Sequence, residues 1–436
     1  MNGLRSAFAY LLAQLVMSGL FRDFEVTGEF DHRGPRLVVA NHFNGLVDAV
    51  VLVRGLRGLP HFIAKSTLFK RLPMRVLLRI AGVVPVYRQS DGADRSGNES
   101  SFEAVRAELA KGRTVLIFPE GTVTDEQRLQ RIRTGAARIA LGALAEGVEN
   151  IVIVPVGITY EDKVAARSRV LVEIGTSIGS EELESLAEGG EVDAENRALV
   201  HATTDLIRER LGAVSPDYGS LLRERVMMSA AEIHLRNEED DPFWDPPVAD
   251  IREVAQRLTH LPDPVVETVL STFGRYELAL SAVGLRDDQI NPPPRLSDLA
   301  RLVVKRMLIV LVVLPFALLG LLANIVPILL VYLAGAAIRE PVTKGTARVL
   351  TALVAFPLSW AVMLVLTSPE RRWLALALMM LGSVLVIVAA HQIIALIEAL
   401  ITYSAVRSRR ALLDDLAALR TAADADLTRE LANAAA

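Results

Sequence analysis

The sequence predicts an α/β domain, a largely parallel sheet flanked by helices, followed by an all-α transmembrane region. Three observations carry that prediction. Short β-branched runs alternate with helical patterns in the N-terminal half; charges occur throughout up to about Ala300; and three long uncharged stretches follow. Over its 436 residues the chain is 51% hydrophobic, with a mean hydropathy of +0.35, too high for a wholly soluble protein.

Taken in order, residues 1–21 open the chain with an apolar stretch, Ser6 to Phe21, preceded by Arg5. A signal peptide is opposed by the lack of an A-x-A-like site and by strand-like sequence that begins almost at once. The stretch is also short for a span. It reads as an amphipathic helix lying on the membrane in preference to a buried core helix.

The α/β domain is placed at residues 22–215. Arg36–Ala40, His61–Lys65, Gly82–Tyr87, Thr114–Phe118, Ile151–Gly157 and Arg169–Ile174 read as strands. Most are nearly continuous apolar runs, as expected of strands covered on both faces. Asp48–Leu56, Leu72–Ile80, Ser101–Ala110 and Thr134–Ala145 have helical spacing between them. This alternation implies a largely parallel sheet.

Residues 216–300 are helical and polar, with the acidic run Glu238 to Asp241 and then Pro242, Pro246 and Pro247, and read as a connector. Asn291-Pro292-Pro293-Pro294 breaks the chain before a membrane region at residues 301–406. No charge occurs from Met307 to Ile338, from Val349 to Pro369, or, counting His391 as neutral, from Trp373 to Ile397. Each is long enough to cross a hydrocarbon core of about 30 Å as a helix. The first (307–338) exceeds one ordinary span, falls short of two, and is interrupted by Pro315, Asn324 and Pro327. A kinked span or a re-entrant hairpin turning near Asn324 fits it. Basic residues flank it on both sides, which favours a return to the cytoplasmic face. Residues 349–397 then form a transmembrane hairpin turning at Ser368 to Arg372, and 407–436 a helical tail. The expected protein is multi-pass, with its α/β domain on the cytoplasmic face.

Formal net charge is -4, which argues against a nucleic-acid partner. With no cysteine, disulfides, zinc–thiolate sites and a cysteine acyl-enzyme are excluded. No metal-ligand spacing such as H-E-x-x-H is present, and neither a metal nor a cofactor is expected.

Four signals carry chemistry. Asn41-His42 closes a predicted strand and Asp48 opens a predicted helix. A histidine can accept a hydroxyl proton, and a carboxylate on its other nitrogen fixes the tautomer and stabilises the imidazolium. The arrangement is a serine protease's His–Asp pair with the substrate's alcohol in place of serine; a satisfied polar pair in a helix-opening turn is the plain alternative. Phe118-Pro119-Glu120-Gly121-Thr122 follows the strand TVLIF, at the carboxyl end where α/β folds place ligands. A Pro-Gly turn would explain Pro119 and Gly121 but not Glu120 and Thr122. Arg88, after Tyr87, suits phosphate through its planar fork, although an arginine after a strand is usually just solvated. Pro155 in IVIVPVG suggests a strand end or a shaped pocket.

In this order the four signals resemble the glycerolipid acyltransferase family, which includes glycerol-3-phosphate and 1-acylglycerol-3-phosphate acyltransferases. The resemblance covers roughly residues 22 to 180. It implies that the α/β domain is an acyltransferase domain with His42 as general base and Asp48 as its orienting partner. It implies that Arg88 binds phosphate, that Glu120, Gly121 and Thr122 belong to the acceptor-binding block, and that Pro155 belongs to a block linked to the acyl donor. Lys65, in KSTLF, resembles a lysine that approaches the acceptor phosphate; a solvated strand-end lysine is the alternative.

One departure matters. The common family spacing places four residues between His and Asp, and here there are five, Phe43 to Val47. In a continuous helix one added residue rotates the partner by about 100°. Asn44-Gly45 can absorb it, since both tolerate positive φ. The longer spacing resembles the yeast-type glycerol-3-phosphate and dihydroxyacetone-phosphate acyltransferases, as do Arg167 to Gly175 and Pro341-Val342-Thr343-Lys344-Gly345-Thr346.

The expected partners are acyl-CoA or acyl carrier protein, a glycerol-phosphate acceptor and the lipid bilayer. The expected reaction is direct acyl transfer to glycerol 3-phosphate or dihydroxyacetone phosphate, with lysophosphatidate or another lysophospholipid as alternative acceptor. A rival of another class is a lipid transporter with an inactive acyltransferase-like domain, because His391 and Glu398 share one helix face and ionisable residues in membranes often mark transport paths. An interfacial Glu398 near the helix end is the plainer reading.

Overall fold

The apolar runs pair as a sheet in the computed structural model, which describes residues 2–31, 33–65, 83–86, 95–123, 128–162, 168–215, 217–238, 244–283, 286–287, 296–408 and 410–435. The helical expectation over 72–80 and residues Gly82 and Tyr87 lie outside them. The chain divides into two units, Met1–Asp217 with Ile338–Val349, and Tyr218–Ala337 with Leu350–Ala436.

The first unit holds α1 (Asn2–Leu20), β1 (Phe21–Thr27), β2 (Arg36–Ala40), α2 (Leu46–Gly55), β3 (His61–Lys65), β4 (Val84–Val86), α3 (Arg95–Leu109), β5 (Thr114–Ile117), α4 (Gly135–Ala145), β6 (Val152–Tyr160), β7 (Ser168–Ile174), α5 (Ser180–Ser185) and α6 (Arg197–Val214). The seven strands lie in the order β1-β7-β6-β2-β5-β3-β4. The run from β6 to β4 is parallel; β7 pairs with β6 antiparallel, and β1 follows β7 in parallel. The domain is therefore α/β with a largely parallel sheet.

Strand β2, RLVVA, is buried at every position, as a strand between two parallel neighbours must be. Leu37 and Val39 pack with Val105 and Leu109 of α3, Ile139 and Ala143 of α4, and Ile207 and Leu211 of α6. By strand alternation Val38 and Ala40 point to the opposite face. Helices α1 and α2 pack on each other, with α2 against β7 and α1 against β1. Helix α1 buries Ala13 and Met17 and leaves Leu11 exposed. Strand β1, FRDFEVT, is not an apolar run: it mixes charges with Phe and Val, which suits an edge with one partner.

The second unit is helical. Its α7 (Leu221–Asn237), α8 (Val248–Thr259), α9 (Asp263–Val283) and α14 (Arg410–Ala435) share one core that includes Met227, Ile251, Phe273, Tyr276, Leu416 and Leu427. The stretches read from sequence as a connector and a tail thus pack together. A buried ion pair locks them: Arg420 donates to Asp287 Oδ1 at 2.7 Å and Oδ2 at 3.1 Å, and Tyr276 Oη donates to Asp287 Oδ1 at 2.6 Å.

Between these helices in sequence come α10 (Leu296–Ala323), α11 (Ile325–Ala336), α12 (Pro341–Leu366) and α13 (Arg372–Ser408). Among the described residues, three segments are long and apolar enough to cross a membrane: Ala300–Ala323, Thr343–Leu366 and Arg372–Ile401. Their exposed Leu311, Leu319 and Val365 fit a hydrocarbon solvent. The chain breaks at Asn324, between α10 and α11. Helices α10 and α13 pack closely at Gly320, where a Cβ would lie 2.5 Å from the Gly382 carbonyl oxygen.

Candidate active site

The sheet order brings β2 and β5 side by side with Val39 level with Ile117, so the three residues after each strand emerge together. His42 follows β2, and Glu120 follows β5. Both stand at the carboxyl edge of adjacent parallel strands, where open α/β sheets leave room for ligands.

Asn41 anchors the first of these turns. Its fully buried side chain mimics a strand residue: Nδ2 donates to the Ile158 carbonyl at 2.9 Å, and Oδ1 accepts from the Ile158 amide at 2.8 Å. The ladder between β2 and β6 thereby continues past Ala40. Glu120 anchors the next residue, accepting the His42 amide at 3.1 Å on one oxygen and the Gln130 amide at 3.3 Å on the other. The carboxyl is 1% exposed, and burial pushes its pKa up to about 7. The His42 ring lies flat on Phe118, with centroids 3.8 Å apart and planes 8° from parallel.

Asp48 is fully buried and fully engaged. Its Oδ2 lies 2.8 Å from His42 Nδ1 and accepts the Asn44 amide at 2.7 Å, while its Oδ1 accepts the Tyr160 hydroxyl at 2.5 Å. Tyr160 is buried at the end of β6; burial and the neighbouring carboxylate hold its pKa well above the ordinary phenol value, so it stays a donor.

The extra residue between His42 and Asp48 is taken up before α2 begins. Gly45 occupies the helix N-cap at φ 59°, ψ -125°, a conformation that a side chain would strain. The Val47 amide closes the turn onto the Asn44 carbonyl at 3.1 Å.

The other sequence candidates are spread more widely. Gly121 sits beside Glu120 in a left-handed turn with the Arg133 side chain packed over it. Thr122 is exposed, and its hydroxyl donates only weakly to the Val123 carbonyl at 3.4 Å. Pro155 lies inside β6, level with Val39 of β2. Its carbonyl accepts the Gly175 amide at 2.9 Å, and lacking an N–H it returns none, so the ladder with β7 starts at Val156. Lys65 ends β3, and its side chain lies outside what the structure describes; so does Arg88 altogether. Glu398, on α13, pairs with Arg286 at 3.5 Å.

Sequence reading did not assign roles to Asn41, Phe118 or Tyr160. A signal existed for the last: a hydroxyl ending the apolar run IVIVPVGITY must find a partner if buried. Which partner depends on sheet order.

Parts of this chain are similar to known proteins. Residues 23–159 match the family model described as Acyltransferase. Glycerol-3-phosphate O-acyltransferase 2 of Saccharomyces cerevisiae is 28% identical over 213 residues, which is 45% of this chain and 26% of the yeast protein. The lyso-ornithine lipid O-acyltransferase of Rhizobium meliloti is 32% identical over 136 residues, 31% of this chain and 44% of that protein. The crystal structure of the 1-acyl-sn-glycerophosphate (LPA) acyltransferase PlsC from Thermotoga maritima aligns with 21% identity and a TM-score of 0.33, over 47% of this chain and 78% of that one. The chain spans less than half the length of the curated relatives it matches. Over residues 23–159 the chain carries an acyltransferase domain, similar to those of glycerolipid and lysolipid acyltransferases.

Proposed function

We propose that the protein transfers a fatty acyl group from acyl-CoA or acyl carrier protein to a hydroxyl of glycerol 3-phosphate or dihydroxyacetone phosphate, in phospholipid biosynthesis. The observation that carries this reading is the 2.8 Å contact between His42 Nδ1 and Asp48. It leaves Nε2 as the nitrogen that meets a substrate hydroxyl. Nε2 takes the hydroxyl proton as the oxygen attacks the thioester carbonyl. The tetrahedral intermediate collapses with expulsion of the thiolate, and the imidazolium returns the proton to sulfur. Asp48 keeps the proton on Nδ1 before the reaction and stabilises the imidazolium during it.

Lys65 and Arg88 are the proposed phosphate ligands, Gly121 and Thr122 belong to the acceptor side, and Pro155 shapes the acyl-donor side. Glu120 would support the acceptor site by fixing the backbone of His42. Residues 22–215 form the proposed catalytic domain and 1–21 its interfacial helix. Beyond them, 216–300 form the connector, 301–406 a multi-pass membrane region and 407–436 the tail, with the catalytic domain on the cytoplasmic face. The yeast glycerol-3-phosphate acyltransferases among the relatives, together with the long His–Asp spacing, support an unacylated acceptor. The Rhizobium relative supports a second reading, a lysolipid acceptor.

The test is release of CoA from palmitoyl-CoA by purified protein, offered glycerol 3-phosphate, dihydroxyacetone phosphate or lysophosphatidate in turn. His42→Ala should lower acceptor-dependent release at least a hundredfold, the scale of general-base catalysis. Undiminished release by that variant removes His42 as the base. Wild-type acylation of lysophosphatidate alone selects the second reading, and no release with any acceptor or with acyl carrier protein as donor favours transport without catalysis.

A further inference from the structure

Helix α2 starts without a cap of its own. Residues at an N-cap normally offer a side-chain oxygen to the first free amides of the helix, which otherwise have no partner. Here the N-cap is Gly45, forced by the positive φ that absorbs the extra residue, and it has no side chain to offer. The acceptor comes from far along the chain: the Leu46 amide donates to Thr346 Oγ1 at 3.3 Å, across 300 residues. Gly345 lies against the same turn. A Cβ there would sit 3.3 Å from Asn44 Oδ1 and 3.4 Å from Val47 Cγ2. Both contacts fall on the turn whose Asn44 amide holds the Asp48 carboxylate at 2.7 Å.

The segment that makes these contacts, Ile338–Val349, groups with the α/β domain, and not with the helices that precede and follow it. It contains the first turns of α12, anchored by the Lys344 amide on the Glu340 carbonyl at 2.8 Å. Thr346 is therefore presented by a helical turn.

We propose that Thr346, seated by Gly345, is a positioning residue for the His42–Asp48 pair: it supplies from a distant part of the chain the cap that the glycine turn lacks, and so fixes where Asp48 stands beneath the imidazole. The proposal rests on the reading of His42 as general base. It assigns a task to the stretch Pro341 to Thr346, which the acyl-transfer mechanism leaves unused. Thr346 touches no reacting atom; it acts through the start of α2.

The test uses the full chain in detergent micelles, with palmitoyl-CoA and whichever acceptor of the panel the wild type uses best. Thr346→Val keeps the shape and removes the acceptor oxygen. Its kcat should fall about three- to tenfold, the scale of one hydrogen bond, with KM for donor and acceptor unchanged. Thr346→Ser should restore most of the rate. Gly345→Ala, with Thr346 intact, should lower kcat less than Thr346→Val, because its methyl only presses on Asn44 and Val47. A wild-type kcat in Thr346→Val overturns the proposal, and so does a serine variant as slow as the valine one, because returning the hydroxyl would then restore nothing. If Thr346→Val is poorly folded, judged by its thermal midpoint, the serine and Gly345→Ala variants still decide. His42→Ala is assayed beside them. An inactive His42→Ala with a fully active Thr346→Val sinks the positioning role alone, whereas an active His42→Ala sinks the reading beneath it.

Discussion

Two buried asparagines, one in each unit, solve the same physical problem with different consequences. Asn41 and Asn324 are both fully buried. Asn41 extends a sheet: its amide exchanges two hydrogen bonds with Ile158 where the backbone of β2 turns away. Asn324 closes a helix break: Nδ2 donates to the Gly320 carbonyl at 2.9 Å and to the Met379 carbonyl at 3.1 Å, and Oδ1 accepts the Trp360 indole at 3.3 Å. The first sits one residue before a catalytic candidate, so satisfying its polar atoms also sets the place of His42. The second sits among apolar helices, and satisfying its polar atoms joins α10, α12 and α13. The same side chain is tied to chemistry in one unit and to assembly in the other.

The largest expected effect breaks that comparison directly. Asn41→Leu strands a buried amide and a buried carbonyl on Ile158, each at a cost of about 1–3 kcal/mol. Asn324→Leu strands an indole N–H, while the Met379 carbonyl keeps the Ser383 hydroxyl at 3.0 Å; hydrogen bonds inside membranes average about 0.6 kcal/mol. Asn41→Leu should therefore lower the thermal midpoint further and abolish CoA release. Asn324→Leu should lower it less and leave kcat per folded molecule intact. Loss of turnover in a well-folded Asn324→Leu would show that the two asparagines do not divide their tasks in this way.

A pH scan sharpens the contrast, because the polar cluster of Asn324, Trp360 and Ser383 contains no titratable group, whereas that around Asn41 includes Glu120. The Glu120 pKa is about 7 in the fold, against an ordinary 4.5. Below pH 4.5 the carboxyl is protonated in both folded and unfolded states, and its favourable contribution is complete. As pH rises from 4.5 through 7, the unfolded chain ionises freely while the buried group resists, and stability is lost. The full change is about 3 kcal/mol at 1.36 kcal/mol per pKa unit. Glu120→Gln should flatten the thermal midpoint against pH between 4.5 and 7, relative to wild type measured beside it. Parallel curves for the two proteins would mean that Glu120 does not titrate in that window.

How far the sequence reveals this can be seen residue by residue. Strands β2, β5, β6 and β7 are legible because strands with neighbours on both sides run almost without polar residues. Strand β1 is harder to see because an edge is free to carry charges. His42, Asp48 and Glu120 are legible because each lies in a short local pattern. Asn41 and Tyr160 are not, since their tasks depend on β2 lying next to β6, and adjacency in a sheet is not written in spacing. The task of Thr346 is least legible of all: the stretch Pro341 to Thr346 stands out by resemblance, but nothing local says that its hydroxyl caps a helix 300 residues away.

The smallest effect is the finest probe of the first unit. Asp48 has three donors, His42 Nδ1, the Asn44 amide and the Tyr160 hydroxyl, and only the last can be deleted without touching the imidazole or the backbone. Tyr160→Phe preserves the ring, which stacks on Phe21 with centroids 5.8 Å apart. It frees Oδ1 from its donor, and the carboxylate can then rotate away from His42. A hydrogen bond to a charged group contributes roughly 1.5–3 kcal/mol, and part of that remains because Asn44 and His42 still hold Oδ2. The expected result is a fall in kcat of about tenfold with KM unchanged, and a thermal midpoint lowered less than in Asn41→Leu because only one buried oxygen loses its partner. A fall in the midpoint without a fall in kcat would make Tyr160 a packing residue, with no part in orienting Asp48. Unchanged values of both would mean that two donors on one oxygen are enough to hold the carboxylate in register with the imidazole.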